Sequence, residues 1–347
     1  MKRFFFLAVA ATCLLASCNK TEIVPTGDVQ EIAFTAVNKV ATKVPVADNK
    51  FLDYDNMAVA AYIVKGASKG NFFEYTWFTK NSANLWSGQP ARYWPLTTST
   101  INFLAVTENG GNVDKTTVTF DAENYAASAT AVLTGNAALD QNDLMFAAGT
   151  GTHSQGGAYN AVPMIFKHAL AWINFQVATT TPAASGNTGC TITVNSITLN
   201  GAVYDGTLTL TNDQYEYTTA NTTEGVIANW NYTTPSTPTE VLVPNADGND
   251  KAAAVTLNDK LALFGNGLLV VPDAYATSFT INYTLTQNGG TANTFDYTYT
   301  LPEGEWEMAN KYFYNINISL TEIEVTPSVT TWDDQGKPTP INGYDKQ

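Results

Sequence analysis

Between residues 164 and 177 the chain reads Met-Ile-Phe-Lys-His-Ala-Leu-Ala-Trp-Ile-Asn-Phe-Gln-Val, and apolar side chains fall on both parities of the run. In an extended chain Ile165, Ile173, Phe175 and Val177 share one face, and Phe166, Leu170 and Trp172 the other. A strand with two apolar faces has to be covered on both. The pattern therefore predicts one buried strand here. Because β-rich segments of similar size precede and follow it, that strand is expected to be the joint between two sandwiches.

Before the joint, Ile32, Phe34 and Ala36 alternate within residues 31–37 and predict a first strand. Residues 38–50 place Lys39, Lys43 and Lys50 among Val, Thr, Pro and Asn and read as an exposed linker. Strands are predicted over 57–64, 72–78 and 100–106, the last with Ile101, Phe103 and Ala105 on one face, and again over 117–120 and 144–148. The Ala-rich segment 121–133, opened by Asp121 as a cap, is predicted to be a short helix. After the joint, strands are expected over 192–199 and 207–210, joined by a Gly-containing loop, and over 240–243 and 268–271. Alternation over 279–285 and 295–301, with Gly289 and Gly290 between them, predicts a hairpin. Tyr312, Tyr314, Ile316, Ile318 and Leu320 predict one long strand running towards Val325, interrupted at Pro327, and a polar tail follows Trp332.

Composition sharpens the class. The 347 residues suffice for two domains of roughly 130–180 residues each. Charged residues make up only 14%, with 44% hydrophobic and 12% aromatic, and Thr, Asn, Tyr and Gly supply the remaining polarity. A formal charge of −14, with Arg3 and Arg92 the only arginines, excludes the basic patch that nucleic-acid binding needs. Lys2 and Arg3, the apolar run 4–15, and Leu15-Ala-Ser-Cys18 form a lipoprotein signal, with cleavage expected between Ser17 and Cys18 and lipid on the Cys18 thiol. An ordinary secretory signal cut nearby is the other reading. Loss of residues 1–17 would leave Cys18 and Cys190, so no intrachain disulfide is expected.

Candidate chemistry is sparse. His168 falls in the predicted buried strand, with no Cys or His at ligand spacing, and is expected to be a hydrogen-bonded core residue. His153 lies in the Gly/Ser/Thr run 149–157, which lacks a Walker lysine; its glycines are read as flexibility. Asp333 and Asp334 point apart on an extended chain, and 245–250 lacks the twelve-residue calcium pattern. No enzyme activity, cofactor or metal is expected. Exposed Trp and Tyr can stack on sugars, which keeps a glycan-binding reading open with Trp77, Trp86, Trp94, Trp230 and Trp306 as candidates. Each is more often a core or interdomain residue than a sugar platform, because large aromatics contribute strongly to burial, and their exposure on one face decides.

Several pieces in order carry a resemblance: Leu15-Ala-Ser-Cys18; residues 31–37; Tyr93-Trp-Pro95 followed by 100–106; Asp143-Leu-Met-Phe-Ala147; and Phe166-Lys-His-Ala-Leu170. Leu268-Leu-Val-Val-Pro272 before a hairpin, and Lys311-Tyr-Phe-Tyr314 leading through 316–325 to Trp332, complete it. The chain resembles the fimbrillins, the type V pilins and fimbrillin-like lipoproteins of Bacteroidales-type bacteria. The resemblance implies an all-β protein with two transthyretin-like β-sandwich domains in tandem, exported as a lipoprotein and assembled on the outer surface. It implies a layout of signal peptide 1–17, a lipidated tether with first strand and cleavable linker 18–50, an N-terminal sandwich 51–162 completed by strand 29–37, a C-terminal sandwich 163–332 and a polar tail 333–347. In that family a protease specific for Arg or Lys removes the N-terminal strand, and a strand from a neighbouring subunit fills the groove. Ile32, Phe34 and Ala36 then mark the detachable strand. No Arg lies between Cys18 and Arg92, so Lys39 or Lys43 must take the cut, and Ile341 and Tyr344 are almost the only apolar residues after Trp332. The implied partners are other pilin subunits, the outer membrane through the lipid, and a host or bacterial surface ligand. Shaft, tip, accessory and anchor positions remain open. So does the alternative of a surface-anchored glycan-binding lipoprotein that does not polymerise.

Overall fold

Apolar runs in this chain are short, β-branched or aromatic, and punctuated by polar turns, and such runs become strands. A computed structural model describes residues 29–38, 56–65, 68–81, 85–97, 99–109, 116–120, 128–133, 141, 143–153, 160–181, 189–212, 226–232, 240–245, 250–272, 276–287, 290–302, 306–331 and 339–340. Every regular element among them is a strand; the protein is all-β. The first nine are β1 (Ala33–Asn38), β2 (Asn56–Lys65), β3 (Ser68–Lys80), β4 (Trp86–Gln89), β5 (Ser99–Asn109), β6 (Thr116–Phe120), β7 (Ser128–Leu133), β8 (Asp143–His153) and β9 (Val162–His168). Seven of these close a hydrogen-bonded ring in the order β1-β4-β3-β2-β5-β8-β9. The ring wraps a core that includes Ile32, Phe34, Phe78, Phe103, Met164 and Phe166.

Most of the remaining strands build two further sheets around a second core. One contains β10 (Ala171–Ala178), β16 (Ala262–Leu263), β17 (Leu268–Val270), β20 (Asn310–Ile318), β21 (Ile323–Thr331) and β22 (Thr339–Pro340). The other contains β11 (Cys190–Asn200), β14 (Glu240–Leu242), β15 (Val255–Thr256), β18 (Ser278–Gln287) and β19 (Ala292–Thr300). Phe175, Phe279 and Tyr314 meet between them, with Phe175 edge-on to Phe279 at 5.0 Å. A fourth sheet orders β12 (Gly206–Asn212) and β13 (Val226–Asn231) with the earlier hairpin as β13-β12-β7-β6. Its Leu208, Leu210 and Val226 pack with Leu104, Val106, Leu144 and Phe146, the residues of β5 and β8 that face away from the ring core. Covered on both faces, β5 and β8 can carry the nearly unbroken apolar runs seen in the sequence.

Four expectations need correction. The stretch 164–177 is two strands, because β9 completes the ring while β10 enters another sheet, and the chain bends between them at Ala169–Leu170. Side-chain parity does not carry across the bend, so Ile165 points out, 42% exposed, while Met164 and Phe166 point in. The Ala-rich segment is not a helix where it is described: residues 128–133 form β7, since pairing with β6 on one side and β12 on the other outweighs the weak preference of alanine. The presumed long strand after Tyr312 is a hairpin. Ser319 turns the chain, its Oγ accepting the N–H groups of Thr321 and Glu322 at 3.2 and 2.9 Å, and Leu320 is exposed at the tip. Pro327 then lies within β21 opposite Tyr314, where a strand near the edge tolerates a missing N–H. Finally, Gly149 and Gly151 belong to β8 and are not a flexible loop. A Cβ on Gly149 would lie 2.7 Å from Met164 Sδ, and one on Gly151 would collide with the Trp94 ring and with Val162 Cγ2 at 2.8 Å. Close packing is their reason.

Candidate functional site

β1 closes the ring. It runs parallel to β9 through five registered pairs, Phe34↔Val162 to Asn38↔Phe166, and antiparallel to β4 through Ala33↔Ser87 and Phe34↔Trp86. Ahead of β1 the pairing continues: Ile32 donates its N–H to the Arg92 carbonyl at 2.7 Å, and Trp94 donates to the Gln30 carbonyl at 2.9 Å. Alternation puts Ile32 and Phe34 inside, both fully buried, and leaves Ala33 and Thr35 partly exposed. Phe34 is the anchor. Its ring meets Phe78 and Phe103 edge-on at 4.8 and 4.9 Å. Ala36 lies opposite Met164 in the ladder.

The neighbours of β1 depend on it unequally. β9 has only two registered pairs with β8, Met145↔His168 and Phe146↔Lys167, against five with β1. Taking β1 away would therefore leave β9 short of partners, and an apolar slot lined by Phe78, Phe103 and Met164 open to water. The wall on the β4 side is braced by Arg92, whose Nε donates to Thr76 Oγ1 at 2.9 Å and whose guanidinium lies 5.4 Å over the Phe73 ring. Sequence periodicity found the inward residues of this strand. It did not find the support behind them.

The histidines are structural in their surroundings. His168 is buried, with Nδ1 2.8 Å from Asp143 Oδ2, at the end of the ring where β8 begins and β9 ends. His153 is buried and stacks on Trp94 at 6.1 Å. No group of three metal-capable side chains occurs among the described residues. Of the five tryptophans considered for sugars, Trp86, Trp94 and Trp306 are buried, and Trp77 and Trp230 are half-buried. None of the five is fully exposed. Trp306 donates to Tyr314 Oη at 3.0 Å and Trp230 to the Ala169 carbonyl at 2.7 Å. Ser17, Cys18, Lys39, Lys43, Trp332, Asp333, Asp334 and residues 246–249 lie outside the described residues.

A strand that seals a ring and leads into a lysine-bearing segment is an unusual site, and comparison with known proteins gives it a context. The model of the fimbrillin-like family matches residues 42–332. The chain belongs to that family. A fimbrial protein from Bacteroides vulgatus shares the fold at a TM-score of 0.60, with 16% identity over 87% of this chain and 99% of that one. A fimbrial assembly protein from Parabacteroides distasonis aligns over 87% of this chain and 98% of its own at 10% identity, with a TM-score of 0.43. No curated protein sequence matches. The fimbrillin-like match begins at residue 42, beyond β1 and Lys39, so the detachable-strand reading rests on the geometry of β1 itself.

Proposed function

We propose that this fimbrillin-like chain is a structural pilus subunit, exported as a lipoprotein on Cys18 and assembled at the cell surface by strand exchange at the β1 slot. Cleavage after Lys39 or Lys43 frees β1, and a strand of a neighbouring subunit replaces it. The single observation behind this reading is that β1 supplies five registered pairs to β9 against two from β8, while the anchors it buries among the described side chains are Ile32 and Phe34. Burying Ile32 and Phe34 contributes roughly 1.5–3 kcal/mol each, so an intact tether holds the strand in place. Once the tether is cut, β1 competes on equal terms with any strand of matching alternation that satisfies the open edges of β4 and β9. No catalytic role is assigned: His168 is buried on Asp143 and His153 is buried against Trp94.

The test treats the folded protein with a lysine-specific protease, maps the cut by mass, and follows oligomer size for wild type and for Lys39→Ala/Lys43→Ala. Wild type should lose residues through 39 or 43 and form oligomers, and the double variant should stay monomeric through this route. A linker that resists while other lysines are cut, or a trimmed protein that neither oligomerises nor takes up a partner strand, would sink the exchange. The anchor is tested separately, since two acyl signals are needed for stable membrane attachment. Cys18→Ala should be released from membranes; retention, together with an unlipidated wild-type N-terminus, would refute it.

A further inference from the structure

A long, regular, unpaired edge invites another strand, and natural sheets avoid it with short edges, bulges, Pro or Lys. Most outer strands here comply. β14 and β17 have three residues each, β15, β16 and β22 two each, and β22 ends in Pro340. β19 does not comply. It runs nine residues, pairs β18 through an unbroken register from Ser278↔Thr300 to Thr286↔Ala292, contains neither Pro nor Lys, and has no other partner strand among the described residues. All of it is exposed except Tyr297, half-buried, and Tyr299, buried.

Which backbone groups face outward follows from one bond. Leu301 donates its N–H to the Thr277 carbonyl at 3.0 Å, so alternation turns Tyr299, Tyr297 and Phe295 towards β18. Thr300, Thr298, Asp296 and Thr294 turn theirs to solvent. We propose that β19 is a self-recognition edge, to which a second copy of this chain adds its own β19 antiparallel, with the two-fold axis at Tyr297.

Side chains choose the register. An axis at Asp296 would set two carboxylates against each other, a destabilising pair. An axis at Phe295 avoids this but pairs Tyr297 with Asn293. With the axis at Tyr297, Asp296 faces Thr298 and Thr294 faces Thr300 on the outer face, while Phe295 faces Tyr299 and Tyr297 faces itself on the inner one. Outward-turned residues then meet only outward-turned residues, so each such pair exchanges both backbone hydrogen bonds. The hairpin already uses the same chemistry: Thr280 bonds Thr298 at 3.1 Å, Thr284 bonds Thr294 at 2.9 Å, and Asn282 donates to Asp296 at 2.7 Å. Tyr283 and Phe295 pack at 5.6 Å on the other face. A second β19 continues both ladders. Asp296 is the only charge the seam carries, whereas the whole chain carries −14, so self-association strengthens as salt screens the remainder. One strand pair is smaller than the roughly 1,200 Å² of a stable stand-alone interface, so the contact shows at high protein concentration.

The experiment uses the full uncut chain with Cys13, Cys18 and Cys190 changed to Ser, and does not involve the β1 slot. Sedimentation should show a monomer–dimer equilibrium that tightens with added salt. Under mild oxidation Tyr297→Cys should form an intermolecular disulfide, because residues opposed in a non-hydrogen-bonded antiparallel pair have Cα atoms about 4.5 Å apart, within disulfide reach. Phe295→Cys should not, since its two copies face position 299 and lie beyond reach. Thr298→Pro deletes an outward N–H and also the exposed hydroxyl contact to Thr280, so Thr298→Ala is its control: relative to that variant melting should be unchanged while dimerisation weakens roughly tenfold or more for the two donors lost per dimer. A monomer at every concentration and salt, equal cross-linking at 295 and 297, or an unweakened dimer in a folded Thr298→Pro chain would each overturn the proposal.

Discussion

Phe34→Ala is the most direct test of whether β1 is an integral member of the ring. The side chain is fully buried, and its ring meets Phe78 and Phe103 edge-on. Truncating a buried Phe to Ala costs about 3–5 kcal/mol, and each edge-on pair accounts for about 0.5–1.5 kcal/mol beyond area burial. Thr35→Ala is the control, since it sits one residue along the same ladder but turns to the partly exposed outer face, and such changes stay within about 0.5 kcal/mol. Both variants keep the backbone hydrogen bonds of β1, so only the side chain differs. Native-state hydrogen exchange on the uncut chain resolves the result by strand. Phe34→Ala should lower the opening free energy of β4 and β9 amides by about 3 kcal/mol or more. A loss below about 1 kcal/mol, or one equal to that of Thr35→Ala, would refute the view that Phe34 anchors the seal.

Gly151→Ala should cost about 1–3 kcal/mol in urea unfolding, because the added methyl meets the Trp94 ring and Val162. His168→Ala should cost about 3 kcal/mol or more near neutral pH, since it leaves Asp143 buried without its partner; this is read by thermal melting. Tyr204→Phe should be neutral or stabilising at pH 7, because the Tyr204 hydroxyl is buried without a hydrogen-bond partner among the described residues. Burial also pushes that phenol's pKa above its ordinary value near 10, so the folded chain holds the proton after the unfolded chain has lost it. Stability should be unaffected by this group below about pH 10 and fall as pH rises further, and the Phe variant should show a shallower alkaline loss in pH-jump unfolding.

Much of the fold was legible because alternation is local. Ile32 and Phe34 announce β1, and alternation locates both strands of the β18–β19 hairpin, whereas their register, with Phe279 opposite Tyr299 and Tyr283 opposite Phe295, came only from the fold. What periodicity missed depends on partners far along the chain. The bend at Ala169–Leu170 exists because β9 and β10 serve different sheets, and the run of apolar residues across it gives no sign of the change. Gly149 and Gly151 look like loop residues until Trp94 and Val162 are placed above them. Asp143 and His168 stand 25 residues apart, and nothing local pairs them. Trp230 offered a better clue, since a large aromatic in a short polar strand calls for burial, but its acceptor at Ala169 could come only from the fold.

The two cores are not joined by a bare linker, and this bears on how an opening at β1 would be confined. β7, from before the central bend, pairs with β12, from after it, over six registered positions. Trp230 donates to the Ala169 carbonyl, and Ala309 donates to the Leu170 carbonyl at 3.0 Å, so both residues of the bend are held from the C-terminal side. The Gln141 amide adds a clasp across the chain, donating to the Gly267 carbonyl at 3.3 Å and accepting the Leu269 N–H, which ties the approach to β8 onto the edge of β17. β9 is thus fixed at its C-terminal end by the bend and by His168 on Asp143, while its earlier residues rely on β1. Loss of β1 should therefore loosen 162–166 and leave 167–178 in place. Under the proposed exchange, an incoming strand would meet a slot held at its far end, which would set the register from that end without rearranging the C-terminal sheets.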